Sequence, residues 1–174
     1  SYGYVFEEKE KRKFLKEKAL ALGIPEGPLY SKLQRGETIN FKGKIITPDE
    51  VLSDPIKGRK IVYTGDTIPC ENVIKFSKDA DVLIFDSSYS HQDIEKVSDH
   101  LHSTASQAAE IALKANVKSL YLVHISQRYK NTKILEEEAR KIFKNTYVAK
   151  DFLTVKITPP PEKEILNIET RKRN

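Results

Sequence analysis

Methionine is absent from all 174 residues, and the chain opens on Ser1. A missing initiator leads us to expect a trimmed, cleaved or partial chain. Cys70 is the single cysteine. It excludes an internal disulfide and suits a reducing, cytoplasmic setting. No run of about twenty apolar residues is present to span a membrane. What is plentiful is charge: 30 Lys and Arg against 25 Asp and Glu, a net charge of +5 and a sequence pI near 9.1. Such a surface tolerates a polyanionic partner, because Lys and Arg that neutralise phosphates release counterions. The length suits one ordinary domain that buries about two thirds of its unfolded surface. Abundant Lys, Glu and Ile without Met matches thermophile usage.

Three apolar runs end on residues of chemical interest. Lys60-Ile61-Val62-Tyr63-Thr64-Gly65 leads to Asp66, Val82-Leu83-Ile84-Phe85 to Asp86, and Leu120-Tyr121-Leu122-Val123 to His124. Strands separated by helical patterns should be parallel. Their carboxyl ends then gather along one sheet edge, where open α/β sheets build their sites. Helices are expected near Pro69 to Ser77, Ser103 to Ala115 and Thr132 to Phe143, with a closing strand at about Phe152 to Ile157. Before this alternation, Tyr2 to Phe6 reads as a strand and Lys11 to Leu22 as a helix stopped by Gly23. Residues 23–28, with two prolines and two glycines, must form a loop. Thr38 to Phe41 and Lys44 to Ile46 flank a tight Lys42-Gly43 turn. Thr47-Pro48-Asp49-Glu50 has the spacing of a capping box. The tail after Pro159-Pro160-Pro161 is polar and ends Arg171-Lys172-Arg173-Asn174, so a disordered or partner-dependent extension is expected.

Taken residue by residue, the candidates are open to two readings each. Asp66 can ligate a metal or cap the following helix, a role Thr67 can also fill. His124, after an apolar run, can be a ligand or a buried, hydrogen-bonded histidine. His102 lies just before a helix whose cap is Ser103 or Thr104, and can be a turn residue facing solvent. Arg128 and Tyr129 fall in a polar loop where a solvated arginine is ordinary. Cys70 is read as structural, and His91 and His100 as exposed.

Four pieces, Tyr63-Thr64-Gly65-Asp66-Thr67, Phe85-Asp86-Ser87-Ser88, His102-Ser103-Thr104 and His124-Ile125-Ser126-Gln127-Arg128-Tyr129, resemble in order and spacing the late motifs of the ribonuclease Z family. The resemblance runs from Ser1 to roughly Ile157. The family's early His-x-His-x-Asp-His cluster and a further metal-binding His before a Gly-Tyr segment like Gly3-Tyr4 have no counterpart here. Its usual His-Glu-Ala-Thr segment is replaced by Phe85-Asp86-Ser87-Ser88.

The resemblance implies an α/β fold, the C-terminal half of an αββα metallo-β-lactamase sandwich with an inserted tRNA-binding arm. It divides the chain into 1–58, a strand with a protruding substrate-binding arm and hairpin; 59–158, the metallo-β-lactamase half; and 159–174, a flexible basic tail. It implies a zinc-dependent endoribonuclease that removes the 3′ trailer from precursor tRNA, with two zinc ions per complete site. In it Asp66 and His124 are metal ligands, and His102 paired with Asp86 is the catalytic proton donor. Arg128 and Tyr129 contact substrate near the scissile phosphate, and Gly27-Pro28 is a tRNA-gripping element of the arm. A homodimer is expected, with the missing N-terminal half supplied by the same or another chain. A non-catalytic RNA-binding half is the contrasting expectation, because Asp66 and His124 alone cannot hold two zinc ions. A third is a hydrolase of the same fold acting on a small ester or on RNA ends.

Overall fold

The computed structural model describes residues 2–95 and 101–158. They form two compact units, 9–58 and the remainder. The chain enters through strand β1 (Tyr4–Glu7) and then makes the 9–58 unit from helices α1 (Lys16–Ala21), α2 (Pro28–Gln34) and α3 (Pro48–Val51) with strands β2 (Ile39–Phe41) and β3 (Lys44–Ile46). β2 and β3 form the expected hairpin, Ile39 opposite Ile46, and the Thr47/Glu50 capping box opens α3. Ala19, Ile24, Leu33, Ile39, Ile46 and Val51 are buried together as a small core of this unit's own, with the Phe14 and Tyr30 rings 4.6 Å apart beside it.

Two elements of this unit differ from expectation. The helix foreseen from Lys11 starts only at Lys16, because residues 11–15 are held extended against 51–56: Lys11 pairs with Ile56 and Phe14 with Leu52. Lys13 N–H donates to Ser53 Oγ at 2.8 Å and Leu15 N–H to Val51 O at 2.7 Å. Non-local partners thus override a helical periodicity. α2 was not foreseen. It begins with Pro28 in its first turn, preceded by Gly27 at φ +149° and ψ −155°, a backbone conformation essentially confined to glycine. Pro28 is favourable at a helix start, where a missing N–H costs nothing.

The other unit is a five-stranded sheet of order β1-β4-β5-β6-β7, with β4 (Lys60–Tyr63), β5 (Val82–Asp86), β6 (Leu120–Val123) and β7 (Thr146–Val148). β4 to β7 are parallel, and β1 is antiparallel on the edge beside β4. β1 therefore belongs to the sheet, not to the 9–58 segment with which the sequence reading grouped it. Helices α4 (Glu71–Ser77), α5 (Ala105–Lys114) and α6 (Lys133–Arg140) connect the parallel strands. Ala105, Ala108, Ala109 and Ala112 recur at i, i+3, i+4 and i+7 along α5 and are fully buried, the spacing of a helix face laid on a sheet. They pack into one core with Val62, Leu83, Phe85, Leu120, Leu122 and Val148. On the opposite sheet face Tyr4, Phe6, Tyr63 and Tyr147 are exposed, and the Tyr121 and Tyr147 rings stack at 5.4 Å.

The closing strand is Thr146–Val148, not the expected 152–157. Thr146 and Val148 sit opposite Leu120 and Leu122 and are buried, whereas Phe152 and Leu153 are exposed. Three residues suffice because parallel pairing to β6 and burial under α6 supply the partners. The expected 159–174 tail lies outside the described residues, as does His100.

α5 is capped by Thr104, whose Oγ1 accepts from Gln107 N–H at 3.1 Å while Gln107 Oε1 accepts from Thr104 N–H at 2.9 Å. Thr104→Val keeps the shape but removes the acceptor. It is expected to lower unfolding free energy by about 1 kcal/mol, read as a shift of the urea midpoint, while Thr104→Ser stays near the parent.

Candidate active site

β5 lies between β4 and β6, so the three strand ends that carried Asp66, Asp86 and His124 in the sequence are neighbours in space. Beyond β4, Gly65 takes φ +63° and turns the chain into Asp66. Beyond β6, His124 itself takes φ +58°, a left-handed conformation that costs a non-glycine residue about 1–2 kcal/mol. Its carbonyl is held by Ser88 Oγ–H at 2.9 Å. Asp86 ends β5 and is fully buried.

A buried carboxylate is tolerated only when donors surround it, and Asp86 has them on both oxygens. Oδ1 accepts from Ser88 N–H at 3.0 Å and lies 2.8 Å from Ser88 Oγ. Oδ2 accepts from Thr67 N–H at 3.1 Å and from His102 Nδ1 at 2.7 Å. The shorter arm of aspartate therefore reaches His102. It does so because the loop at 101–104 is drawn in: Ala105 N–H donates to Tyr89 O at 2.9 Å and Ser103 Oγ to Thr67 O at 2.5 Å. His102 Nδ1 is committed to Asp86, so Nε2 is the nitrogen left for chemistry.

The second imidazole stands beside the first, with ring centroids of His102 and His124 4.8 Å apart. His124 Nε2 is 3.6 Å from Asp66 Oδ2, and Nδ1 is 2.9 Å from Ser88 Oγ. Asp66, His102 and His124 each offer one ligand atom, all within 4.8 Å of one another. Two imidazoles and a carboxylate form a nitrogen and oxygen donor set suited to zinc or a similar divalent ion. By their chemistry these three groups fit a divalent ion.

Arg128 is half-exposed and packs its guanidinium over the Tyr89 ring at 4.9 Å, with Nη1 3.9 Å from Asp93 Oδ1. Tyr129 donates its hydroxyl to Asp93 and accepts from Ser90 N–H at 2.9 Å. Burial first, then the hydrogen bond to Asp93, pushes its phenol above the ordinary tyrosine range. Tyr129 is therefore a wall of the loop and stays protonated through neutral pH. Gly27 and Pro28 belong to the 9–58 unit. His91 is exposed, its N–H on Glu138 at 3.0 Å, and Cys70 is an exposed cap residue of α4. Sequence reasoning gave Ser88 and Tyr89 no role and Thr67 only that of a helix cap. Their signal was weak: a polar cluster directly after a strand-ending aspartate.

The fold and this donor set define the class. The family described as the β-lactamase superfamily domain matches residues 42–125, a stretch that contains Asp66, Asp86, His102 and His124. Within that class the chain is 49% identical over 161 residues to ribonuclease Z of Archaeoglobus fulgidus, covering 91% of this chain and 53% of that protein. It is 47% identical over 154 residues to ribonuclease Z of Methanothermobacter thermautotrophicus, covering 88% and 50% respectively. The crystal structure of human tRNase Z, short form, superimposes with a TM-score of 0.47 at 27% identity, over 66% of this chain and 37% of that one. The chain is thus similar to ribonuclease Z over about nine-tenths of its own length, and it spans about half the length of the curated relatives it matches.

Asp86→Ala strips an acceptor from Thr67 N–H, Ser88 and His102 at once. It is expected to lower unfolding free energy by about 3 kcal/mol, with Asp86→Asn costing less; the two urea midpoints check this.

Proposed function

We propose that this chain carries one half of the active site of a zinc-dependent endoribonuclease that removes the 3′ trailer from precursor tRNA in the cytoplasm. The observation that carries the reading is the Asp86–His102 pair, bonded at 2.7 Å, standing beside the facing pair of Asp66 and His124. Asp66 and His124 would hold metal, and the other half of the protein would supply the remaining ligands. Zinc bound there supplies an activated water and neutralises charge on the phosphoryl oxygens.

The chain's own groups do the rest. His102, its Nδ1–H fixed on Asp86, presents Nε2 to the departing oxygen. As the phosphorus–O3′ bond breaks, that oxygen takes the Nε2 proton, leaving a tRNA 3′-hydroxyl, while the phosphate remains on the 5′ end of the trailer. Arg128 suits the phosphate because a planar guanidinium meets phosphoryl oxygens in a fork, and stacking on Tyr89 limits its freedom. The 9–58 unit, with Gly27-Pro28, is the substrate-gripping arm: contacts remote from the scissile bond hold the reacting phosphate in place. A homodimer in which one subunit's arm serves the other's site fits this division.

A second reading of His102 has a specific basis, since its ring converges with Asp66 and His124 as a third metal ligand would. His102→Ala separates the two. As proton donor, its loss leaves zinc content near that of the parent and cuts turnover about 10²–10⁴-fold; a matching loss of zinc by elemental analysis assigns it to the metal. Asp66→Ala is expected to lose both zinc and activity.

Glu8 N–H donates to Arg59 O at 2.9 Å, so the 9–58 unit leaves and rejoins the sheet at adjacent points. Replacing it with a short turn that joins β1 to β4 is expected to spare hydrolysis of a small phosphodiester and impair processing of precursor tRNA. Equal loss of both activities in steady-state assays removes the arm from the proposal.

A further inference from the structure

Ser88 Oγ lies within 2.9 Å of three groups at once: Asp86 Oδ1 at 2.8 Å, His124 Nδ1 at 2.9 Å and His124 O at 2.9 Å. A hydroxyl carries one proton but can accept as well as donate. Two of its three neighbours, a carboxylate and a carbonyl, can only accept. The Ser88 proton is therefore directed at these oxygens, above all the buried carboxylate, whose hydrogen bonds are charge-assisted. The contact with His124 Nδ1 is then favourable only if the ring nitrogen is the donor. Asp86 Oδ1 lies 3.8 Å from that same nitrogen and favours a proton there, whereas Asp66 Oδ2, 3.6 Å from Nε2, favours one at the other end of the ring, so the Ser88 contact decides between them.

We infer that Ser88 is a positioning residue that fixes His124 as its Nδ1–H tautomer and turns the unprotonated Nε2 toward Asp66. One buried carboxylate then orients both imidazoles, His102 directly and His124 through a serine. The same hydroxyl shares its one proton between Asp86 and the carbonyl of the left-handed His124, 2.9 Å away, so ring and backbone meet one group. Imidazole in water favours the opposite, Nε2–H tautomer, which has no lone pair at the nitrogen facing Asp66. Ser88 thereby decides whether His124 can ligate. The link to metal rests on the proposed role of His124; the tautomer itself does not.

The test uses the metal-free protein, with long-range ¹H–¹⁵N NMR correlations of the His124 ring, and zinc affinity measured by chelator competition. The parent is expected to show Nδ1–H at His124. Ser88→Ala retains the backbone N–H bond to Asp86 and should keep the fold, visible in its amide spectrum. Its His124 should shift toward Nε2–H, with zinc affinity falling about 10–100-fold. Ser88→Thr retains the oxygen and is expected to restore both readings. An Nδ1–H tautomer unchanged in Ser88→Ala overturns the inference. Unchanged zinc affinity in His124→Ala overturns instead the metal role of His124, while the tautomer comparison still decides the role of Ser88.

Discussion

One buried anion organises this site. Asp86 has no solvent exposure, and in a protein interior an unpaired carboxylate costs several kcal/mol, at least about the 3 kcal/mol measured when buried pairs are broken. Its partners come from three separate segments: Thr67 beyond β4, Ser88 beyond β5 and His102 ahead of α5. None of these segments can move without uncovering charge. The loops that carry Asp66, His102 and His124 are thereby tied to one point, although each is irregular and would otherwise wander.

The sheet supplies the frame for that point. Parallel β4, β5 and β6 align their carboxyl ends, and the alanine face of α5 lets the helix lie close over Leu83, Phe85, Leu120 and Leu122. Close packing fixes where α5 begins, and so where His102 stands. Ser90, His91 and Ser106 all donate to Glu138 of α6, with Ser90 Oγ at 2.7 Å and Ser106 Oγ at 2.7 Å. This second carboxylate fastens the loop after β5 to both helices, and it keeps Tyr89 under the Arg128 guanidinium.

Exposure divides the site in two. Asp66 and His124 remain about half exposed at their side chains, whereas Asp86 and Ser88 beside them are buried. The 9–58 unit follows a different logic. Its small core of Ile24, Leu33, Ile39, Ile46 and Val51 is its own, so it can be inserted between β1 and β4 without disturbing the sheet.

Much of this was legible in the residues. Continuous apolar runs marked β4, β5 and β6, and because side chains at strand ends must lie together in a parallel sheet, Asp66, Asp86 and His124 could be grouped without coordinates. Capping chemistry marked Thr47 and narrowed the α5 cap to Ser103 or Thr104, and Lys42-Gly43 marked the hairpin, since each depends on neighbours in sequence. The failures share one cause. The helix expected from Lys11 lost its first turn to pairing with residues 51–56, and β7 fell at Thr146–Val148 where Leu120 and Leu122 offered partners. Ser88 shows the same limit at the site: nothing local distinguishes it from Ser87. Only the tertiary fold brings an acceptor, a carbonyl and an imidazole nitrogen within reach of one hydroxyl, because hydrogen bonds are decided by distances that sequence separation does not encode.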